Sequence, residues 1–346
     1  MTPELWGFRK ITTRNYPVLG ANVSASTQQL NIDLKDFLQK EVVSRLLLRF
    51  SGNIVVAGAG AGVATGRDNP EQLITNVILK TSPSLGVISK NNIDPRRIIR
   101  MGLFDRGYSI KAATVPDAAA TVAVDFTLPL TFKMPGSVNP VEWALPLSMF
   151  ESAILQITCG TRDQLFTGGT NTWDVSGIQV QIWADYDIGV AGQFHVLEEI
   201  QRQFIITAAQ SDFPLATLES GYIYTHFMVT TERDNVLVND ILNGFYIQSA
   251  GRIWTPQGDL NALEIQRWNK ETHINNAAEP LVTGVYFIPA LRDGMYKRAV
   301  DALDARLDVR ADVTPGAGTT RVLTLLARRI IPLGLQAVGS QQVPGA

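Results

Sequence analysis

The chain has 346 residues, 45% of them apolar and 18% charged, which allows a sizeable core in one large or two ordinary domains and excludes wholesale disorder. Its formal net charge is −2, from 30 basic and 32 acidic residues, so a generic nucleic-acid coat is disfavoured. One cysteine, Cys159, excludes an internal disulfide framework and a multi-cysteine metal site.

The chain opens on "MTPELWGFRKITTRNYP", which lacks the basic-then-apolar layout of a signal peptide, and no apolar run reaches the ~18 residues of a membrane helix. Synthesis in a cytoplasm is the expectation. This N-terminal arm holds Trp6, Phe8, Arg9, Lys10, Arg14 and Tyr16. Aromatic residues beside basic ones suit anionic lipid headgroups or an acidic partner surface. The plainer alternative is a terminal segment packed on a neighbouring domain or subunit.

Strand-like segments follow. "QQLNIDL" (28–34), "VVSRLLLRF" (42–50), "TVAVDFTLPLTF" (121–132), "ESAILQITCG" (151–160) and "GIQVQIWADYD" (177–187) alternate apolar and polar residues with period two. Gly-, Pro- and Asn-rich stretches separate them, the punctuation of an antiparallel sandwich or barrel. In "RDNPEQLITNV", Asn69 and Pro70 suit the start of a helical turn. Residues 191–203, "AGQFHVLEEIQRQ", break the pattern and read as a connector, partly helical.

A second set of strands repeats the order of the first. "DFPLATLE" (212–219) matches "QQLNIDL", and "GYIYTHFMVTT" (221–231) stands where "VVSRLLLRF" stood. "DILNGFYIQSAGRIW" (240–254) matches "EQLITNVILKTS", and "LVTGVYFIPALR" (281–292) matches "VAVDFTLPLTFK", with Pro289 and Pro129 at like places. "LDARLDVRADV" (303–313) then takes the place of "ESAILQITCG", and "RVLTLLARRI" (321–330) that of "GIQVQIW". One segment, "QGDLNALEIQRWNKETH" (257–273), predicts a helix capped by Asp259 with Leu260, Leu263, Arg267 and Trp268 at helical spacing. Eight strands in two Greek keys make a jelly roll, and two in tandem fit the length. The predicted fold is all-β, a double jelly roll with short helices in its loops. The divisions are an N-terminal arm (1–25), a first jelly roll (26–190), a connector (191–203), a second jelly roll (204–335) and a C-terminal tail (336–346).

Catalytic motifs do not emerge. The glycine run Gly58–Gly62 places Val63 or Thr65 where a dinucleotide fingerprint needs its third glycine. The histidines His195, His226 and His273 lie far apart, and Asp185 and Asp187 form at most half of an acid–base pair. Asn22-Val-Ser24 matches a glycosylation sequon by chance, and Cys159 reads as a small core residue. No catalytic residue, cofactor or metal is expected.

Tandem jelly rolls from Gln28 to Asp187 and from Asp212 to Ile330, with an aromatic-basic arm ahead of them, resemble the double jelly-roll major capsid proteins of tailless icosahedral viruses. Tectivirus and corticovirus coats are examples. The resemblance implies a structural protein of the virion, assembled in the host cytoplasm. It also implies homotrimers forming pseudo-hexagonal capsomers, an internal lipid membrane, and minor or vertex proteins as partners. Two other classes stay open. One is a glycan-processing enzyme. The other is a carbohydrate-binding or adhesion module using Trp143, Trp173, Trp183 or Trp254.

The segment 303–313 is singled out by its charges. Its odd positions are apolar, while Asp304, Arg306, Asp308, Arg310 and Asp312 alternate in sign, ~7 Å apart along one strand face. The equivalent strand of the first half carries Ser152, Ile154, Gln156 and Thr158 outward, without charge. The ladder is therefore a candidate subunit interface that makes the two jelly rolls non-interchangeable.

Overall fold

The computed structural model describes residues 5–17, 28–39, 41–58, 63–64, 71–81, 90–93, 118–132, 144–167, 171–188, 195–234, 236–249, 252–253, 261–272, 283–289, 300–302 and 305–332. Among them, besides short strands such as Thr172–Asp174 and Val300–Ala302 that also join the sheets, sixteen strands correspond in two sets of eight. The first set is β1 (Leu5–Asn15), β2 (Gln28–Asp33), β3 (Val42–Ala57), β4 (Ile74–Thr81), β5 (Lys90–Ile93), β6 (Ala120–Thr131), β7 (Ala153–Cys159) and β8 (Gln179–Ile188). The second set is β9 (His195–Ile205), β10 (Gln210–Leu218), β11 (Tyr222–Arg233), β12 (Leu242–Ser249), β13 (Arg252–Ile253), β14 (Val285–Pro289), β15 (Leu307–Val313) and β16 (Arg321–Pro332). The chain divides into two compact units: of the described residues, the first holds those up to Glu198 together with 331–332, and the second holds 199–330.

In the first unit one sheet runs β1-β8-β3 with β6 also paired to β3, and the other runs β2-β7-β4-β5. In the second, β9-β16-β11 carries β14 on β11, and the other sheet runs β10-β15-β12-β13. Each strand has the same neighbours as the strand eight places later, so the duplication is topological as well as sequential. Even the corners correspond. Tyr16 N donates to Ile178 O after β1, and Ile206 N to Arg321 O after β9. Gly160 N donates to Leu73 O in one unit, and Thr314 N to Ile241 O in the other. These are the two sheets of a jelly roll, built twice.

Alternation explains the layering. Leu46, Leu48 and Phe50 of β3 and Val124, Phe126, Leu128 and Leu130 of β6 point into the first core. Phe50 and Phe126 are register partners whose rings stack at 4.9 Å. Gly52 sits in β3 at φ 149°, and a Cβ there would lie 2.2 Å from Gly177 O, so only glycine fits. The second core gathers Tyr224, Phe227, Phe245, Ile247, Tyr286 and Leu325.

Four local expectations are corrected. Residues 195–205 form strand β9, the counterpart of β1, rather than a partly helical connector. Its period-two signal is lost because Glu198 and Glu199 are both buried, so charges stand where apolar residues mark most strands. Secondly, residues 5–15 of the arm are strand β1, paired with β8 along its length. Thirdly, the helix spans Ala262–Thr272 and is capped by Asn261, with Asp259 outside the described residues. Asn261 Oδ1 accepts from Glu264 N and Glu264 Oε2 from Asn261 N, a reciprocal capping box. Lastly, the helix buries Ala262, Ile265, Gln266 and Asn269, while Leu263 is exposed. Its inner face is part polar because Asn269 bonds both the N–H and the carbonyl of Phe287 on β14. Near the second predicted helical start, Glu71–Leu73 forms a 3₁₀ turn, and Asn69 and Pro70 lie outside the described residues.

Candidate functional site

In an antiparallel pair, residues opposite each other share a face. β1 pairs with β8 as Trp6↔Asp187, Phe8↔Asp185 and Lys10↔Trp183, and β8 with β3 as Trp183↔Leu47 and Asp185↔Arg45. These side chains therefore stand together on the outer face of the first unit's β1-β8-β3 sheet. Trp6 is 68% exposed and Phe8 44%. Phe8 stacks on Trp183 at 5.4 Å, with Lys10 Nζ 5.9 Å from the Trp183 ring. Trp6 Nε1 donates to Asp185 Oδ1 at 2.6 Å, and Arg45 reaches Asp185 Oδ2 at 3.3 Å.

The polar atom of Trp6 is thus satisfied within the sheet, and only its apolar body faces outward. Arg9 lies at the sheet edge, donating to Phe37 O at 2.6 Å with its guanidinium 5.3 Å from the Tyr186 ring. Gly7 leaves room for that ring, since a Cβ would come within 2.6 Å of it. Arg14 is exposed and donates to Thr13 O. Trp6, Phe8 and Lys10 therefore share one ordered face of β1, while Arg9 and Arg14, opposite the buried Ala184 and Val180, belong to its other side.

The ladder lies on β15, between β10 and β12. Burial alternates strictly from Leu307 to Val313, so Asp308, Arg310 and Asp312 face outward. Arg306 is exposed just ahead of the strand, and Asp304 lies outside the described residues. The row pairs with neighbouring strands more than with itself. Arg310 reaches Asp212 Oδ2 at 2.5 Å, and Tyr246 donates to Asp212 Oδ1. Asp312 accepts from Asp212 N at 2.8 Å, and Asp308 from Thr217 Oγ1 at 2.8 Å. Asp212 adopts φ 59° at an irregularity in the β10–β15 register, which brings its backbone N–H to Asp312. Sequence reasoning missed Asp212 and Tyr246, because the bulge that recruits Asp212 leaves no periodic signal. On the equivalent strand β7, Gln156 Nε2 donates to Gln29 and Asn31, so that face is held by amides.

The remaining candidates resolve as structure. His226 is buried, stacked on Phe287 and bonded to Thr225 Oγ1. Cys159 is buried, and burial pushes its thiol up to about 12. Asp185 accepts from Trp6 and Arg45, and Asp187 from Ser44, so both carboxylates are engaged in contacts of the sheet itself. Trp173 is buried, which removes it as a glycan platform. Trp143, Trp254 and His273 lie outside the described residues, as does most of the glycine run. No group of three or more His, Cys, Asp or Glu among the described residues could hold a metal ion. No helix among them is long and apolar enough to cross a membrane.

No family model and no curated protein matches the sequence. Solved structures do match its fold. The major capsid protein of Sulfolobus turreted icosahedral virus superposes with a TM-score of 0.65 at 14% identity, covering 94% of this chain and 98% of that one. The major capsid protein P2 of bacteriophage PM2 gives 0.59 at 11% identity, covering 94% and 97%. A capsid model of the virus PBCV-1 gives 0.57 at 13% identity, covering 96% and 95%. Over nearly its whole length, the chain has the double jelly-roll fold of these viral capsid proteins.

Proposed function

We propose that this chain is the major capsid protein of a tailless icosahedral virus. The observation that carries the reading is full-length coverage in both directions against capsid proteins, with strand order duplicated between the two units. Copies trimerise into pseudo-hexagonal capsomers that tile a shell, and the chain works by association rather than catalysis. Head-to-tail contacts between identical copies close a ring, and complementary charge fixes their register. The shell is assembled in the host cytoplasm and overlies a lipid membrane, with minor and vertex proteins completing it.

Size-exclusion chromatography with light scattering tests the reading. A stable trimer or a larger assembly is expected. A persistent monomer at high concentration overturns it. Flotation on anionic vesicles tests the lipid part.

The ladder belongs to this proposal as a subunit contact. Its test must respect the Arg310–Asp212 pair, because Arg310→Glu alone sets two carboxylates against each other within one chain. Reversing Arg306 and Arg310 to Glu together with Asp212→Arg keeps an internal pair while inverting the outward charge. Assembly is expected to suffer more than folding. Unchanged assembly would make the ladder an ordinary solvated strand face.

A further inference from the structure

Asn243-Gly244 is the only Asn-Gly pair in the sequence. Such a pair ordinarily marks a tight hairpin turn. Here the chain runs through it as part of strand β12. The pair falls at an irregularity in the register with β15. Leu242 pairs with Val313 and Gly244 with Asp312, so Asn243 is one residue too many on its strand. The extra residue of a bulge is left out of the ladder. Gly244 is held on both sides, by Asp312 and by a bridge to Asn261, so the freedom at this point belongs to Asn243.

The Asn243 side chain is exposed, and its Nδ2 donates to Thr314 Oγ1 at 2.7 Å. Thr314 continues the outward series Asp308, Arg310 and Asp312 of β15. The amide of Asn243 therefore stands in water at the end of the charged row. Asparagine is a chemically labile side chain. It is most open to attack by its own backbone ahead of glycine, which has no Cβ to shield its N–H.

We propose that Asn243 is a modification site, converted in the folded chain through a succinimide to aspartate and isoaspartate. Gly244 N attacks Asn243 Cγ. The N–Cγ bond forms, the Cγ–Nδ2 bond breaks, and the proton from Gly244 N leaves with Nδ2 as ammonia. Water then opens the ring. Its addition at Cγ gives aspartate, and its addition at the main-chain carbonyl of Asn243 gives isoaspartate. No electrons change hands, and water is the only co-reactant. Either product sets a new carboxylate near Asp312, on a face where Asp212, Asp308 and Asp312 already stand against Arg310. The site follows from the chemistry of this strand and does not depend on what the chain assembles into.

The full chain, held folded in mildly alkaline buffer and sampled over weeks, tests it. A synthetic peptide of residues 236–249 in the same buffer gives the unhindered rate. Trypsin, cutting after Arg233 and Arg252, leaves Asn235, Asn239 and Asn243 in one fragment. Asn239 is the internal control, because its Oδ1 accepts from Gln266 Nε2 and Gly284 N. Electron-transfer fragmentation locates each amide-to-acid conversion and separates the two products.

Asn243 is expected to convert while Asn239 stays intact, at a rate within about a hundredfold of the peptide's; an unfolded fraction of about 10⁻³ or less cannot supply that rate. A slower rate would mean that the strand shields the amide, and overturns the proposal. Equal conversion at Asn239 would report unfolding of the chain rather than the bulge, and overturns it as well.

Discussion

Arg328 and Glu199 offer a sharp test of how dry the second unit's outer sheet face is. Arg328 on β16 sends Nε and Nη2 to Glu199 Oε1 on β9, at 3.1 and 2.9 Å. Both side chains are almost wholly buried, at 9% and 7% exposure. At 2.9 Å and an effective dielectric of about 20, the Coulomb attraction is about 6 kcal/mol, and it opposes a desolvation penalty of similar size. Removing one partner leaves a buried charge without its main counter-ion. Arg328→Met or Glu199→Leu alone should therefore cost about 3–5 kcal/mol, whereas the two together should fall near wild type. Urea denaturation of the four proteins gives the coupling energy, and the single variants should melt roughly 10 °C lower. Single variants that each cost under about 1 kcal/mol would show a solvated pair.

Three further outcomes follow from named contacts. Tyr16 Oη lies 2.8 Å from Leu73 O and 2.9 Å from Gly160 O, so Tyr16→Phe should cost about 1–2 kcal/mol in urea; no loss would mean the hydroxyl adds nothing to the backbone bond that Tyr16 N makes to Ile178 O, the kind of bond Ile206 makes in the second unit. Gly52→Ala forces a Cβ to within 2.2 Å of Gly177 O, and should lower stability by at least about 2 kcal/mol; a neutral effect would refute that close approach. Burial pushes the Cys159 thiol and the Tyr286 hydroxyl up to about 12, and raises Tyr16 well above its usual value. These groups hold their protons more tightly when folded. Their contribution is complete below the ordinary thiol and phenol values and is lost as pH rises towards 12. The unfolding free energy from urea denaturation should be flat from pH 7 to about 8 and then decline, by up to about 1.4 kcal/mol per pH unit for each group. An unfolding free energy unchanged at pH 11 would refute that burial.

Period-two alternation in segments such as 121–132 and 303–313 determined strand identity, face and the fold itself. An exposed strand face and a buried one demand opposite chemistry every second residue, and that constraint is local enough to read. The repeated order of the two halves was legible for the same reason. Strand β9 was not, because its buried Glu199 is stabilised by Arg328, far along the chain. Nor could sequence show that Asp212 turns its N–H toward Asp312, since a bulge is a misregister between two strands and belongs to neither alone. The arm shows the division most plainly. Its composition announced a contact surface, but only pairing with β8 fixed Trp6, Phe8 and Trp183 into one face, with the indole N–H tied to Asp185. Alternation is a property of one strand. Which side chains share a face depends on the pairing of strands far apart in the chain, and that is decided only in three dimensions.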